Sequence, residues 1–377
     1  MESILLTFFT SIAVVLAITP SIISISKHKN IFDFPGENKL HKGSIPHIGG
    51  IAIFAGILFS YSLWKPPLPD MSFRYVLASL IVLFLIGLKD DILGMTPLKK
   101  LGAQLLVAMI VVMDGEGAVR LSGLHGIFNV FGIPMWMCII LSIFTFVTIT
   151  NSFNLIDGID GLAAGLGLIA SLTFGFWFFC TNNLVLACMS FALSGAVLGI
   201  LFFNFSPAKI FIGDCGSLII GFVLSMLAVK FIELNQEFAL QHLSYSSTTD
   251  SSGAVAIVKD TRYQRFIING GPGFAVAVLI VPLYDTLRSF LVRIINRKSP
   301  FKGDTNHIHH RLLFLGFNPA EICIILFLVN ILFITVAYLL RDVSPDQLIG
   351  IIFLSAISLD FILFLIKRSK TSKMGKA

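Results

Sequence analysis

Between Leu121 and Ala208 the only charged residues are Asp157 and Asp160, set in sequence that is otherwise apolar or neutral. A charge at the centre of a bilayer costs about 2.5–3.5 kcal/mol, and a backbone in hydrocarbon must satisfy its own hydrogen bonds. Such a stretch folds as membrane helices, with its two aspartates held at a surface or in a wet cavity. The rest of the chain has the same character. Of 377 residues, 56% are hydrophobic and only 13% charged, too little polar surface to cover a soluble core of that size. The fold class read from this is an all-α polytopic membrane protein.

Apolar segments long enough to span run over about 3–26, 46–64, 73–88, 99–113, 133–150, 161–180, 183–203, 216–232, 273–295, 320–340 and 346–366. Residues 1–26 carry a single charge, Glu2, with no basic leader or small-residue cleavage site, so they read as a first membrane helix and not a signal peptide. Pro282 predicts a kink in the ninth, and the charges from Asp285 onward predict that its end leaves the bilayer core. Eleven spans put the termini on opposite sides. All of the 27 basic residues except Lys65, Arg74, Arg120, Lys230, Lys259, Arg262, Arg265 and Arg341 then fall in loops of one side or in the C-terminal tail. The positive-inside rule makes that side cytoplasmic, with the N-terminus outside and the C-terminus cytoplasmic. Net charge +6 is thereby assigned to loops facing anionic lipid, not to nucleic acid.

The outer loops read as structural. Residues 119–130, with Gly123 and Gly126 between apolar runs, suit a short β-hairpin, and the long polar connection 233–271 carries no evident chemistry. The five cysteines show no C-x-x-C spacing, which argues against disulfide or zinc chemistry.

The inner loops, about 27–45, 89–99, 151–161, 204–215 and 296–318, each carry a polar cluster that a plain connector does not need. The first reads H-K-G-S-I-P-H-I-G-G and offers Lys42 as a point charge for phosphate. The second is the pair Asp90 and Asp91, followed by Lys99 and Lys100; adjacent carboxylates at a helix C-terminus call for a compensating cation. The third, N-S-F-N-L-I-D-G-I-D-G, spaces Asn151, Asn154, Asp157 and Asp160 three apart, along one side of a helical turn. The fourth, I-F-I-G-D-C-G-S, puts Asp214 between glycines at the start of the eighth span, where a carboxylate and free N–H groups can face an ion. The fifth holds Asp285, Arg288 and Arg293, then H-I-H-H-R-L with His307, His309, His310 and Arg311. Carboxylates without a cysteine pattern favour Mg²⁺ or Mn²⁺ over zinc. With basic side chains beside them they suit phosphate or pyrophosphate chemistry, and the membrane setting makes one substrate a lipid.

These five clusters, in this order and over essentially the whole chain, resemble the polyprenyl-phosphate N-acetylhexosamine-1-phosphate transferases. The resemblance implies one integral-membrane domain that transfers a sugar-1-phosphate from a UDP-sugar to undecaprenyl phosphate, releasing UMP, with Mg²⁺ and an active site on the cytoplasmic face of the cell membrane. It implies Asp214 as the principal metal ligand with Asp91 beside it, and Asp90 orienting or deprotonating the lipid phosphate. Asn154 and Asp157 match positions near the sugar phosphate and metal. Lys42, Asp160 and Asn204 match the nucleotide pocket, and His307, His309, His310 and Arg311 match a loop that holds pyrophosphate or sugar. The family's acidic motif is often D-D-x-x-D, whereas here Gly94 stands at the third acidic position, so no role is carried to it. H-I-H-H-R resembles the N-acetylglucosamine-type enzymes more than the phospho-MurNAc-pentapeptide translocases, the runner-up within the family. Membrane lipid and a second copy of the chain are further expected partners. A multi-pass transporter would need charges at mid-span facing a pathway, whereas the acids here collect mainly in the inner loops, with Asp360 near the inner end of its span.

Overall fold

A computed structural model describes residues 1–29, 45–66, 73–113, 118–243, 246–249, 255–258, 264–297 and 307–374. Each of the eleven apolar segments coincides with a helix or, in one case, a helix pair. In order these are α1 (Glu2–Lys29), α2 (Gly50–Trp64), α3 (Phe73–Leu93), α4 (Pro97–Val112), α5 (Met135–Ile156), α6 (Leu162–Cys180), α7 (Leu184–Asn204) and α8 (Gly213–Leu243). Then come α9 (Gly271–Val278), α10 (Ile280–Ile295), the short α11 (Ile308–Leu315), α12 (Pro319–Leu339) and α13 (Pro345–Met374). Among the described residues seven helices are long and apolar enough to cross a membrane, and the bent pair α9–α10 adds an eighth. The chain is a multi-pass membrane protein. The others fall short for visible reasons: α2 and α4 have only 15 and 16 residues, while α3 carries Arg74 near its start and Lys89, Asp90 and Asp91 at its end.

The bundle is built around α8, with 89% of its apolar window buried against 11% for α13 at the rim. It packs on α5, α3, α6 and α2. Rim helices turn large apolar side chains outward, among them Phe9, Phe176 and Leu354, as a lipid-facing surface requires. Inward they present small residues. Thr7, Ser11, Val15 and Thr19 make the buried stripe of α1, which meets Gly195 and Gly199 of α7. A Cβ on Gly195 would stand 2.4 Å from the Phe8 carbonyl oxygen, and Ser11 donates to the Ala192 carbonyl at 2.7 Å. Lipid offers no hydrophobic drive to helix pairing, so close backbone approach and interhelical hydrogen bonds supply it.

The ninth predicted span breaks more sharply than a proline kink, bending by 82° at Leu279 between α9 and α10. Pro282 has no N–H for the carbonyl four residues back, that of Val278. Asn330 of α12 fills the gap by donating from Nδ2 to that oxygen at 3.1 Å. The bend turns α10 so that Asp285 and His307 meet (below).

At the end of the bundle away from the acidic loops, β1 (Gly123–Ile127) and β2 (Val130–Gly132) form the expected hairpin, with Ile127 paired to Val130. Phe128 and Asn129 between them both have positive φ, as a two-residue turn of primed type demands. The eighth span does not stop near residue 232. Glu233 stays helical within α8 and takes the Ser122 N–H at 2.8 Å and His125 Nε2 at 2.7 Å, tying the hairpin to the helix. Beyond α8 the polar connection holds a second hairpin, β3 (Ser246–Thr249) with β4 (Val255–Val258).

Candidate active site

Four helix ends and two turns meet at one end of the bundle. Asp90 and Asp91 lie on the last turn of α3, past the apolar run that stops at Leu88. Being adjacent they diverge by about 100° around the axis and find different partners. Asp90, 7% exposed, faces α4, where Lys100 Nζ sits 2.7 Å from Asp90 Oδ2 and 2.9 Å from Asp214 Oδ1. Asp91 faces the start of α8, where its Oδ1 and Oδ2 accept the N–H groups of Asp214 and Cys215 at 2.7 and 3.1 Å. Two of the donors left open by the helix start are thereby satisfied.

That close join needs glycine. Gly213 has φ +70°, and a Cβ there would lie 2.1 Å from the His47 carbonyl oxygen. His47 in turn donates from Nε2 to the Asp91 carbonyl at 2.5 Å. Gly49 and Gly50 donate to the carbonyls of Phe211 and Ile212. The I-P-H-I-G-G and I-F-I-G-D motifs are thus one paired backbone unit.

Asp214 also receives the Nδ2 of Asn154, which reaches Ser217 Oγ at 3.0 Å as well. Three residues on from Asn154, Asp157 ends α5, and Gly158 turns the chain by donating to the Ile156 carbonyl at 2.8 Å. Loss of water pushes the Asp157 carboxyl well above its ordinary range, and the charges of Asp214, Asp91 and Asp160 add to the shift. The acids of three separate loops therefore feel one another.

His309 closes the site from the opposite wall. A Cβ on Gly158 would stand 2.6 Å from His309 Nε2, so this glycine of D-G-I-D-G serves a side chain more than 150 positions away. His309 is 1% exposed, and burial lowers its pKa to about 3, the Asp285 charge opposing and His310 and His307 adding. It is neutral at physiological pH. Its ring lies parallel to that of His307, with centroids 5.5 Å apart, and is tilted against His310 at 4.5 Å.

Other predicted residues stand apart from this cluster. Asn204 clasps two loops, accepting the Gly161 N–H at 3.0 Å and donating to the Ile210 carbonyl at 2.9 Å. Asp160 accepts the Ala208 N–H at 3.1 Å. Arg311 turns away toward α13 and pairs with Asp360, which also takes Arg288 Nε at 3.0 Å. Asp360, the acid near the inner end of the last span, is thereby neutralised. Lys42 lies outside the described residues.

Sequence reasoning gave no role to Lys100, His47, Ser217 or Asp285. The one signal for Lys100 was a lysine opening an apolar helix directly after an acidic pair. The described residues contain no group of three or more His, Cys, Asp or Glu side chains in metal-holding geometry. Even so, Asp90 and Asp157 offer hard oxygens whose charges each work against that of Asp214, and an ammonium already lies between Asp90 and Asp214. That chemistry suits an oxygen-preferring divalent cation.

The profile of glycosyl transferase family 4 matches residues 73–232, the stretch from α3 to α8 that carries Asp90, Asp91, Lys100, Asn154, Asp157, Asp160, Asn204 and Asp214. A decaprenyl-phosphate N-acetylglucosaminephosphotransferase of Mycobacterium tuberculosis (strain CDC 1551 / Oshkosh) is 30% identical over 78% of this chain and 72% of its own length. The chain belongs to glycosyl transferase family 4. Two further relatives cover more of it. The "Probable undecaprenyl-phosphate N-acetylglucosaminyl 1-phosphate transferase" of Bacillus subtilis (strain 168) is 28% identical over 96% of this chain and 92% of its own length. The undecaprenyl-phosphate alpha-N-acetylglucosaminyl 1-phosphate transferase of Escherichia coli (strain K12) is 27% identical over 88% and 83%. These matches carry the family reading made on the five motifs.

Proposed function

We propose that this family 4 member transfers N-acetylglucosamine 1-phosphate, or a closely related N-acetylhexosamine 1-phosphate, from a UDP-sugar to undecaprenyl phosphate. The products are an undecaprenyl-pyrophosphoryl sugar and UMP, formed at the cytoplasmic face of the cell membrane with the N-terminus outside. The observation that carries the reading is the convergence of Asp90, Lys100, Asn154, Asp157 and Asp214 under the His309 wall, in a chain whose relatives bear these activities by name.

An oxygen of the lipid phosphate attacks the sugar-bearing phosphorus of the UDP-sugar. The bond from that phosphorus to the bridging oxygen breaks, and UMP leaves with the oxygen and its charge. Mg²⁺ would be held chiefly by Asp214 and would neutralise the pyrophosphate; Asp91, whose oxygens each already accept a backbone N–H, keeps the Asp214 backbone in place. Lys100 holds Asp90 and Asp214 together against their repulsion. Asp90 orients the incoming lipid phosphate, itself a competent anionic nucleophile. An apolar cavity of about 280 Å³ between α5, α8 and the α9–α10 bend, reaching Leu124 and Ile127 of the β1 hairpin at the far end and lined by Phe144, Ile149, Ile232 and Leu283 among others, offers room for part of a lipid chain. Ile149 is five residues from Asn154, about 7.5 Å of helix rise.

The test is UMP release from UDP-N-acetylglucosamine in detergent, with and without undecaprenyl phosphate and Mg²⁺, for wild type and Asp214→Ala. Release that needs lipid, metal and Asp214 supports the reading. Release that survives Asp214→Ala moves the metal to other acids, and folded protein that is silent with every UDP-sugar overturns the reading.

A further inference from the structure

Asp285 has no role in the family resemblance, yet at 1% exposure it is the most deeply buried acid among the described residues. It stands early in α10, just beyond the 82° break, and both of its oxygens are committed. Oδ1 accepts the Ile308 N–H at 2.7 Å, satisfying a donor in the first turn of α11. Oδ2 lies 2.7 Å from His307 Nδ1. An ionised carboxylate only accepts, so the hydrogen between them belongs to Nδ1. Ser289, one turn along α10, has its Oγ 3.4 Å from the same nitrogen, too far to compete well.

Among the described residues this arrangement leaves Nε2 as the uncommitted nitrogen of a ring that is 6% exposed and runs parallel to His309, at 4°. His309 rests on Gly158, next to Asp157. The row Asp285, His307, His309, Gly158 therefore connects the break in the ninth span to the acidic turn of the active site. Among the described residues, Asp285 and Ser289 from α10 and His309 on the same short helix segment are polar groups that face His307.

We infer that Asp285 is a positioning residue for His307: it holds hydrogen on Nδ1, so that the proton on the charged ring is presented from Nε2 toward the departing phosphate. The inference rests on the transfer reading above. Asp285 touches no reacting atom; its effect passes through the imidazole and through the first turn of α11.

Asp285→Asn separates this role from simple support. The asparagine Oδ1 still accepts the Ile308 N–H, while the amide N–H now faces Nδ1 and forces the other tautomer. The expected result is a fall in kcat of about 10-fold or more, with KM for the UDP-sugar nearly unchanged and the alkaline limb of the kcat profile moved to lower pH. In a His307→Gln background the same change alters kcat by less than about twofold. A wild-type kcat and alkaline limb in Asp285→Asn, or equal losses in both backgrounds, overturns the inference.

Should Asp285→Asn not fold, the wild-type protein still decides. ¹⁵N-histidine NMR, with His307→Gln for assignment, should show the neutral His307 ring protonated on Nδ1; protonation on Nε2 overturns the inference. Wild type that releases no UMP from any UDP-sugar would sink the transfer reading while leaving the NMR result to decide whether Asp285 sets the tautomer.

Discussion

Gly158→Ala tests the placement on which the active site depends. An added Cβ would stand 2.6 Å from His309 Nε2 and 2.9 Å from Cε1. Comfortable carbon contacts lie at about 3.5–4.0 Å, so the ring has to retreat by about 1 Å. It has little room, being 1% exposed, stacked on His307 and tilted against His310. Overpacking of this kind costs about 1–3 kcal/mol, offset by about 0.5 kcal/mol from a stiffer unfolded chain. Catalysis should suffer more, since a 1 Å displacement of aligned groups costs about 100-fold. UMP release and thermal unfolding, measured side by side in detergent, read both effects. Gly102→Ala is the control. Nothing lies within 4 Å of its Cβ and it sits inside α4, so the same substitution there should stabilise by about 0.5–1 kcal/mol. A Gly158→Ala protein with wild-type kcat and Tm would refute the seating of His309 on the Asp157 turn.

Three other perturbations follow from the same contacts. Asn330→Leu strips the Val278 carbonyl of its donor, and a buried orphan of this kind costs about 1–3 kcal/mol; Tm should fall, and Pro282→Ala, which restores an N–H, should recover part of the loss. Asp91→Asn can accept from only one of the two N–H groups at the start of α8, so about 1–2 kcal/mol of stability should be lost with the Mg²⁺ titration midpoint of UMP release unchanged. A shifted midpoint at unchanged Tm would make Asp91 a ligand. Neutral His309, with its pKa lowered to about 3, binds no proton in the folded state between about pH 6.5 and 3, where the unfolded chain does. Stability contributed by this residue is therefore present above pH 6.5 and lost on acidification, at up to about 1.4 kcal/mol per pH unit. Tm measured from pH 7 to 4 should fall less steeply in His309→Gln, and parallel curves would contradict the burial argument.

What sequence alone determined is what local rules govern. A long apolar run in hydrocarbon has only the helix with which to satisfy its backbone, so all eleven runs became helices. Charges excluded from the apolar spans collect at their ends, so Asp90, Asp157, Asp214 and His309 were legible as one site before any packing was known. Helix ends were less so: α8 passes residue 232 because Glu233 and His125 hold its polar extension. The contacts that individual residues make were not legible. Asp90 and Asp91 are neighbours in sequence, yet one meets Lys100 and the other holds α8, because a helix turns them toward different partners. Asp91 acts across 123 positions, Asn204 across 43 and Asp285 across 22. No period or propensity encodes contacts at such separations. They exist because small residues let the helices approach closely, and because Pro282 and Asn330 bend one helix so that a buried carboxylate meets a histidine.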